Sequence, residues 1–441
     1  MTGTGKISRR DVLRGGLAAG VAGAAAPFIV PSHVLGGSGE TPPSDTVILG
    51  GIGVGRRGGT LINMFRHMDD ASIAAVADVD SKRADEVASW VDGDTYNDYR
   101  RLLERDDIDG IVTATPDHWR ALVCIHACQA GKDVYAEKPM TLTIAEGRKM
   151  AQAAEKYDII WQTGSQQRSN ATNRRGCELI RNGRIGKIKK VIAKNYPSPW
   201  KYGMAGQDIP DHIDWDRWCG PVDPVPYHPQ LEVPRGKPGW LSFRRFAGGE
   251  MTGWGAHGFD QVQWALGASR TGPVEVGAEG EPFDPPTYTE PEGRSRGNEM
   301  CSAPKVYMRY PNDVVMELGD APGGGAVFIG EEGTITIGRG SLKSDPPELA
   351  EEPLENPEVQ LYESDNHGSN WLECIKTREK TAAPVEVGHR SATVCHLGNI
   401  ARWTGRRLQW DPDTEQFTND AEANDYLDRE RREGYRLPDR V

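Results

Sequence analysis

The chain has 441 residues, 37% hydrophobic and 26% charged, which is enough for two domains and has the balance of a globular protein. Its formal net charge of −12 excludes the basic surface that nucleic acid or an anionic membrane requires. Seven scattered cysteines form no CxxC pair and no zinc-finger spacing with histidine, so no metal site is expected and buried thiols are.

At the N-terminus, Ser8-Arg9-Arg10-Asp11-Val12-Leu13 precedes an Ala/Gly-rich apolar run from Gly15 to Val30. A basic region, a short apolar region and small residues read as an export signal, and the paired arginines match the twin-arginine kind. The run is shorter than the roughly 20 residues of a spanning helix, so a periplasmic, exported protein without stable membrane insertion is expected. Residues 1–40 are set aside as signal and linker.

From Thr46 onward, strand and helix patterns alternate. Thr46–Ile52 reads as a strand, followed by a helix with Leu61, Ile62, Phe65 and Met68 on one side. Further strands are expected at Ser72–Ala77, Asp109–Ala114, Asp133–Glu137 and Ile159–Thr163. Helices fall around Lys82–Trp90, Arg120–Ala130 and after the capping box Thr143-Ile144-Ala145-Glu146. Such alternation predicts an α/β fold whose N-terminal part is a doubly wound parallel sheet of the Rossmann kind. Beyond Arg168 the pattern changes, with strands expected at Gly186–Tyr196 and Lys305–Leu318. Gly280–Gly297 and Ser341–Val359 read as surface loops, and the charged tail Asp420–Arg436 as a solvated helix.

The first strand runs into Gly53-Val54-Gly55-Arg56-Arg57-Gly58, a full GxGxxG between strand and helix. Its glycines would let backbone N–H groups approach a pyrophosphate at the helix N-terminus. Asp78 ends the second strand, where a carboxylate accepts from a ribose hydroxyl and repels a 2′-phosphate, so NAD is favoured over NADP. Lys138, in Ala136-Glu137-Lys138-Pro139, sits at a strand's carboxyl end, where open parallel sheets place their ligands. A partly desolvated lysine there can serve as acid or base, and pairing with Glu137 on the surface is the alternative.

In Gly248–Asp260, GGEMTGWGAHGFD, a helix starting near Trp254 would set His257, Asp260, Gln261 and Trp264 on one face and Phe259, Val262 and Leu266 on the other. The first face would look into the crevice, with His257 neutral in the first turn, either as a proton acceptor or as a satisfied core histidine. Trp200, Trp215, Trp218 and Trp240 lie in loops and are candidates for stacking on a sugar ring.

GVGRRG, TPDHW (Thr115–Trp119), AEKP and GGEMTGWGAHGFD, in this order, resemble the Gfo/Idh/MocA family (glucose–fructose oxidoreductase, inositol dehydrogenase), in particular its exported members. NWLECIKTREK (Asn370–Lys380) and GNIARWTGRRLQWDP (Gly398–Pro412) extend the likeness over nearly the whole mature chain. The resemblance implies an NAD-binding Rossmann domain over 41–167 and an α/β domain over 168–441, whose open, largely antiparallel sheet carries the sugar site and a homo-oligomer interface. It implies catalytic roles for Lys138 and His257, and cofactor contacts from Gly53, Gly55, Arg57, Gly58, Asp78, Thr115, Pro116, His118, Glu137 and Gln166. The family pattern Asp-x-Gly-x-His departs here, because Gly253 stands where the aspartate would be; Asp260 or Glu250 are candidates to replace it. Arg120 likewise stands where many relatives carry histidine.

An exported protein meets no replenished NAD pool, so the cofactor must stay bound and be regenerated in each cycle. Two reactions meet that condition: coupled oxidation and reduction of two sugars, or redox-neutral glycoside cleavage through a transient ketosugar. A cofactor-stabilised sugar-binding protein, inactivated by the change at Gly253, is the non-enzymatic alternative. Gly253→Asp would raise turnover in an inactivated enzyme and disturb it if the glycine is adaptive.

Overall fold

The computed structural model describes residues 45–236, 238–289, 299–439 and 441. The twin-arginine stretch and residues 290–297 of the Gly280–Gly297 loop lie outside them.

The alternating pattern builds one parallel sheet from β1 (Val47–Ile52), β2 (Ala71–Ala77), β3 (Asp94–Tyr96), β4 (Gly110–Thr113), β5 (Asp133–Ala136) and β6 (Trp161–Thr163). Its strands pair in the order β3-β2-β1-β4-β5-β6, all in parallel. Uninterrupted buried runs such as Asp133–Ala136 suit a sheet covered on both faces. The order reverses between β1 and β4, and a crevice opens at the carboxyl ends of the strands there. Strand β3 carries no apolar signal, because Asp94 and Thr95 are exposed.

Two short strands, β8 (Lys201–Tyr202) and β10 (Thr287–Tyr288), pair only with each other, and a larger second sheet has nine strands among the described residues. They are β7 (Ile188–Lys194), β9 (Glu275–Glu279), β11 (Lys305–Arg309), β12 (Val315–Gly319), β13 (Ala326–Gly330), β14 (Thr334–Gly338), β15 (Ser341–Asp345), β16 (Leu408–Asp411) and β17 (Gln416–Phe417). The order is β15-β14-β13-β7-β12-β11-β9-β16-β17, antiparallel except between β7 and β12. The single strand expected over Lys305–Leu318 is a hairpin: Pro311-Asn312-Asp313 turns the chain, with Asp313 at φ 63°. Alternate residues point inward, among them Val191, Met308, Met316 and Phe328, and pack with Phe259 and Val262 of helix Gly255–Ala265 and with Val394 and Leu397 of helix Val385–Thr404. Outward-facing Ile192, Tyr307, Val327 and Ile329 remain half-buried.

The C-terminal chain returns to the first sheet. Trp371 of helix His367–Thr377 is buried edge-on to Phe65 and Tyr135, at 5.6 and 5.7 Å between ring centroids. Thr46–Val441 accordingly forms one compact unit. The tail corrects the solvated-helix expectation. It makes one 3-10 turn, Glu422–Tyr426, and then crosses the first domain as an irregular strap. The reason is Glu146, a buried carboxylate in the first turn of helix Ile144–Lys156, which Arg429 and Arg431 reach at 2.9 and 3.0 Å. A buried charge needs such partners.

Candidate functional site

The glycine turn between β1 and helix Arg56–Phe65 is shaped by contact. Gly53 has φ +73°, and a Cβ there would lie 2.9 Å from the backbone N and Cα of Thr115. A Cβ on Gly58 would fall 2.1 Å from the Gly53 carbonyl oxygen. At Gly55, by contrast, the added carbon would meet only Arg83 at 4.0 Å, which leaves room at the helix N-terminus for a phosphate group. Asp78, at the end of β2, accepts from the Asp80 N–H at 3.0 Å and stands 3.7 Å from Arg83. Burial raises its pKa, and Arg83 offsets part of the rise.

A cavity of about 510 Å³ runs from this turn across the carboxyl ends of the strands. Gly53, Gly55, Arg57, Asp78, Thr115, Pro116, Glu137 and Gln166 all border it, and so do Lys138 and His257. Its size suits a small-molecule or cofactor site. Gly58 and His118 do not border it. Gly58 packs the helix onto the turn behind it. His118 is buried, bonds through Nε2 to the Trp218 carbonyl at 3.0 Å and packs on Phe246. Burial lowers its pKa to about 3, which suits a neutral ring locking the loop to the helix.

Lys138 and Pro139 are joined by a cis peptide just beyond β5. Glu137 accepts from Arg57 Nε at 2.7 Å and from the Lys138 N–H at 3.0 Å. Burial opposes its ionisation, but Arg57 and Lys138 outweigh this and hold the carboxyl below its ordinary range. The Lys138 ammonium donates to the Gly253 carbonyl oxygen at 3.1 Å. Burial drives its pKa down to about 8; Glu137 pulls it up and Arg235 pushes it further down.

His257 also borders the cavity but is largely buried, and its Nδ1, itself inaccessible, finds no hydrogen-bond partner among the described residues. Burial first, then Lys138, Arg339, Arg235 and Arg57, hold the imidazole neutral by lowering its pKa well below the ordinary value. A neutral ring and a lysine amine that border one cavity can together hold a hydroxyl while the amine takes or returns its proton.

Helix Gly255–Ala265 is buried on every side, so the face expected to look into the crevice mostly does not. Asp260 makes a bidentate pair with Arg168 at 2.9–3.0 Å, accepts from Ser391 Oγ at 2.7 Å and does not border the cavity. Gln261 bonds to Gln167 and Asn173, and Trp264 lies under the Arg168 guanidinium. The structure therefore gives Asp260 no place beside Lys138. Glu250 lies nearer: it holds Arg235 at 2.7 and 2.9 Å, and Arg235 borders the cavity. Of the four tryptophans expected in loops, Trp215 and Trp218 lie on a short helix, Trp215–Cys219, and Trp240 opens a 3-10 turn; Trp218 and Trp240 border the cavity. Trp200 stacks on Tyr288 and Trp215 on Trp218.

Sequence reasoning missed Arg235, Arg339 and Trp254, which share this end of the cavity. It also missed the role of Arg120. That guanidinium is buried against Asp117 at 3.2 Å and donates to the carbonyls of Thr115 and Pro139, tying the TPDHW loop to the lysine's strand end. All seven cysteines are buried and none forms a disulfide.

Residues 49–165 match the family model for the oxidoreductase NAD-binding Rossmann fold, and residues 171–437 match that for the C-terminal α/β domain of the same oxidoreductases. A glycosyl hydrolase family 109 protein from Shewanella pealeana is 34% identical over 125 residues, 26% of this chain. The match spans 27% of that relative's length. Among solved structures, the aldose–aldose oxidoreductase from Caulobacter crescentus, complexed with glycerol, shares the fold at TM-score 0.57 and 18% identity, over 82% of this chain and 99% of its own. The WlbA dehydrogenase from Bordetella pertussis, complexed with NADH and UDP-GlcNAcA, does so at TM-score 0.58 and 16% identity, over 83% and 99%. With both domain models matched in order over most of its length, the chain belongs to the Gfo/Idh/MocA oxidoreductase family.

Proposed function

We propose that this protein is an NAD-dependent oxidoreductase of a sugar or sugar derivative that keeps its cofactor bound through each cycle. The observation that carries the proposal is the convergence of the glycine turn, a lysine with its pKa near 8 and a buried neutral histidine on one cavity. These residues fit a dinucleotide: Gly55 leaves open the space a side chain would fill beside the helix N-terminus. Gly53, Gly55 and the helix N-terminus would hold the pyrophosphate, and Asp78 the ribose, which favours NAD over NADP. Bound there, NAD would accept a hydride from a sugar carbon and later return one. Lys138, as the neutral amine, takes the proton from the hydroxyl being oxidised and gives it back in reduction. His257 orients that hydroxyl, and Arg57 keeps Glu137 ionised beneath the lysine.

Export through the twin-arginine signal belongs to the proposal and rests on Ser8–Leu13 and the apolar run after it. Among the described residues no helix is long and apolar enough to cross a membrane. Self-association through the outer face of the second sheet is supported by its half-buried Ile192, Tyr307, Val327 and Ile329. Redox-neutral glycoside cleavage is the second reading, favoured by the likeness to glycosyl hydrolase family 109 proteins over a quarter of the chain.

The two are separated by incubating the protein, purified without added nucleotide, with sugars and glycosides in deuterium oxide. Deuterium entering a glycoside, with cleavage and no net NADH, supports the second reading. Reduction of an added carbonyl compound coupled to sugar oxidation supports the first. A protein that binds the dinucleotide and does neither contradicts both.

A further inference from the structure

The end of the cavity beside Lys138 and His257 is unusually rich in guanidinium. Arg235 borders it and is fixed by Glu250, which takes Nε and Nη2 and leaves Nη1 without a protein acceptor among the described residues. Arg339, on the turn between β14 and β15, borders it too, is exposed and has no ion-pair partner among the described residues; its only aromatic neighbour is Trp254, at 5.8 Å. The carboxylates lining this region have partners of their own: Glu137 has Arg57, Asp117 has Arg120, and Glu232 accepts from the Tyr227 hydroxyl. A side chain at position 253 would have to displace three side-chain ends, because its Cβ would lie 2.8 Å from Leu241, 2.9 Å from Arg235 Nη2 and 3.0 Å from a Glu250 oxygen. A guanidinium clamped by a carboxylate thus fills the place toward which the Gly253 side chain would point.

We infer that the substrate is an anionic sugar whose carboxylate or phosphate is held by Arg235 and Arg339 while the carbon to be oxidised faces Lys138. The inference rests on the sugar-oxidoreductase reading and supplies its substrate class. A preorganised guanidinium with free N–H groups recognises planar or tetrahedral oxyanions, and a second, unpaired arginine at the mouth adds attraction during approach. The cations around His257 point the same way: Lys138, Arg339, Arg235 and Arg57 are the charges that act most on it. A neutral sugar would leave both guanidinium groups facing only water.

Binding of glucuronate, glucose 6-phosphate and glucose to the NADH-loaded protein, measured by calorimetry, tests this. The wild type should bind one of the two anions at least about tenfold more tightly than glucose, the loss expected when one charge-assisted contact goes unmade. Which anion wins distinguishes carboxylate from phosphate. Arg339→Met, at an exposed position, should lose about tenfold in affinity for that anion and keep its affinity for NADH. Arg235→Lys keeps a charge beside Glu250 but loses the fork, and should weaken the same anion selectively. Equal affinity for glucose and both anions, or an Arg339→Met protein that still binds the anion at wild-type strength, overturns the inference and leaves the oxidoreductase reading standing. Failure to bind NADH at all would instead strike at that reading.

Discussion

Lys138→Met should lower kcat by about a hundred- to ten-thousand-fold while dinucleotide affinity stays near wild type. The amine is the group at the strand end with a pKa inside the working range, and it borders the same cavity as His257. Burial lowers the lysine from its ordinary value to about 8, so below that pH it is an ammonium that cannot take a proton. Sugar oxidation by the wild type should therefore rise as pH passes about 8 and then level off, and reduction in the reverse direction should fall over the same range. His257 is already neutral and adds no second limb near neutrality. Steady-state rates across this range read the limb directly. A methionine variant with unchanged kcat, or a wild-type limb well away from pH 8, would remove Lys138 from the chemistry.

Asp260→Ala should cost stability rather than catalysis alone, by about 3–5 kcal/mol in denaturant unfolding. Asp260 and Arg168 are both nearly inaccessible, with side chains 3% and 5% exposed. Removing the carboxylate leaves the guanidinium buried with, among the described residues, only Ser269 Oγ at 3.1 Å and the Trp264 ring for company. Arg168 opens the second domain and Asp260 lies on its helix Gly255–Ala265, so the pair also ties the start of that domain to its core. An Asp260→Ala protein of wild-type stability but lost turnover would instead return Asp260 to the list of catalytic candidates.

The sequence carries the first sheet clearly because buried parallel strands leave continuous apolar runs and their helices leave capping signals. Thr143 caps its helix as the Thr-x-x-Glu pattern implies, accepting from the Glu146 N–H at 3.4 Å. The glycine turn, Asp78, Lys138 and His257 were legible for a related reason: local spacing or strand ends define their positions. What stayed hidden depends on partners far away in the chain. A polar residue on a helix face reads the same whether it meets solvent or a buried partner, so Asp260 and Gln261 looked like crevice residues until Arg168 and Asn173 appeared beside them. The tail's charges looked solvated until Glu146 was found beneath Arg429 and Arg431. Arg235 sits in a loop without periodicity, and only the folded chain shows it in the space beside Gly253.

The central claim is that a nicotinamide dinucleotide occupies the cavity with its reactive ring at the Lys138 and His257 end. Trp240 and Trp254 border that end, so titrating the nucleotide-free protein with NADH while exciting tryptophan measures it most directly. The account predicts saturable energy transfer from tryptophan to the reduced ring, at one nucleotide per chain, diminished when Trp254 is replaced by phenylalanine. A folded protein showing no transfer and no retained dinucleotide would contradict it.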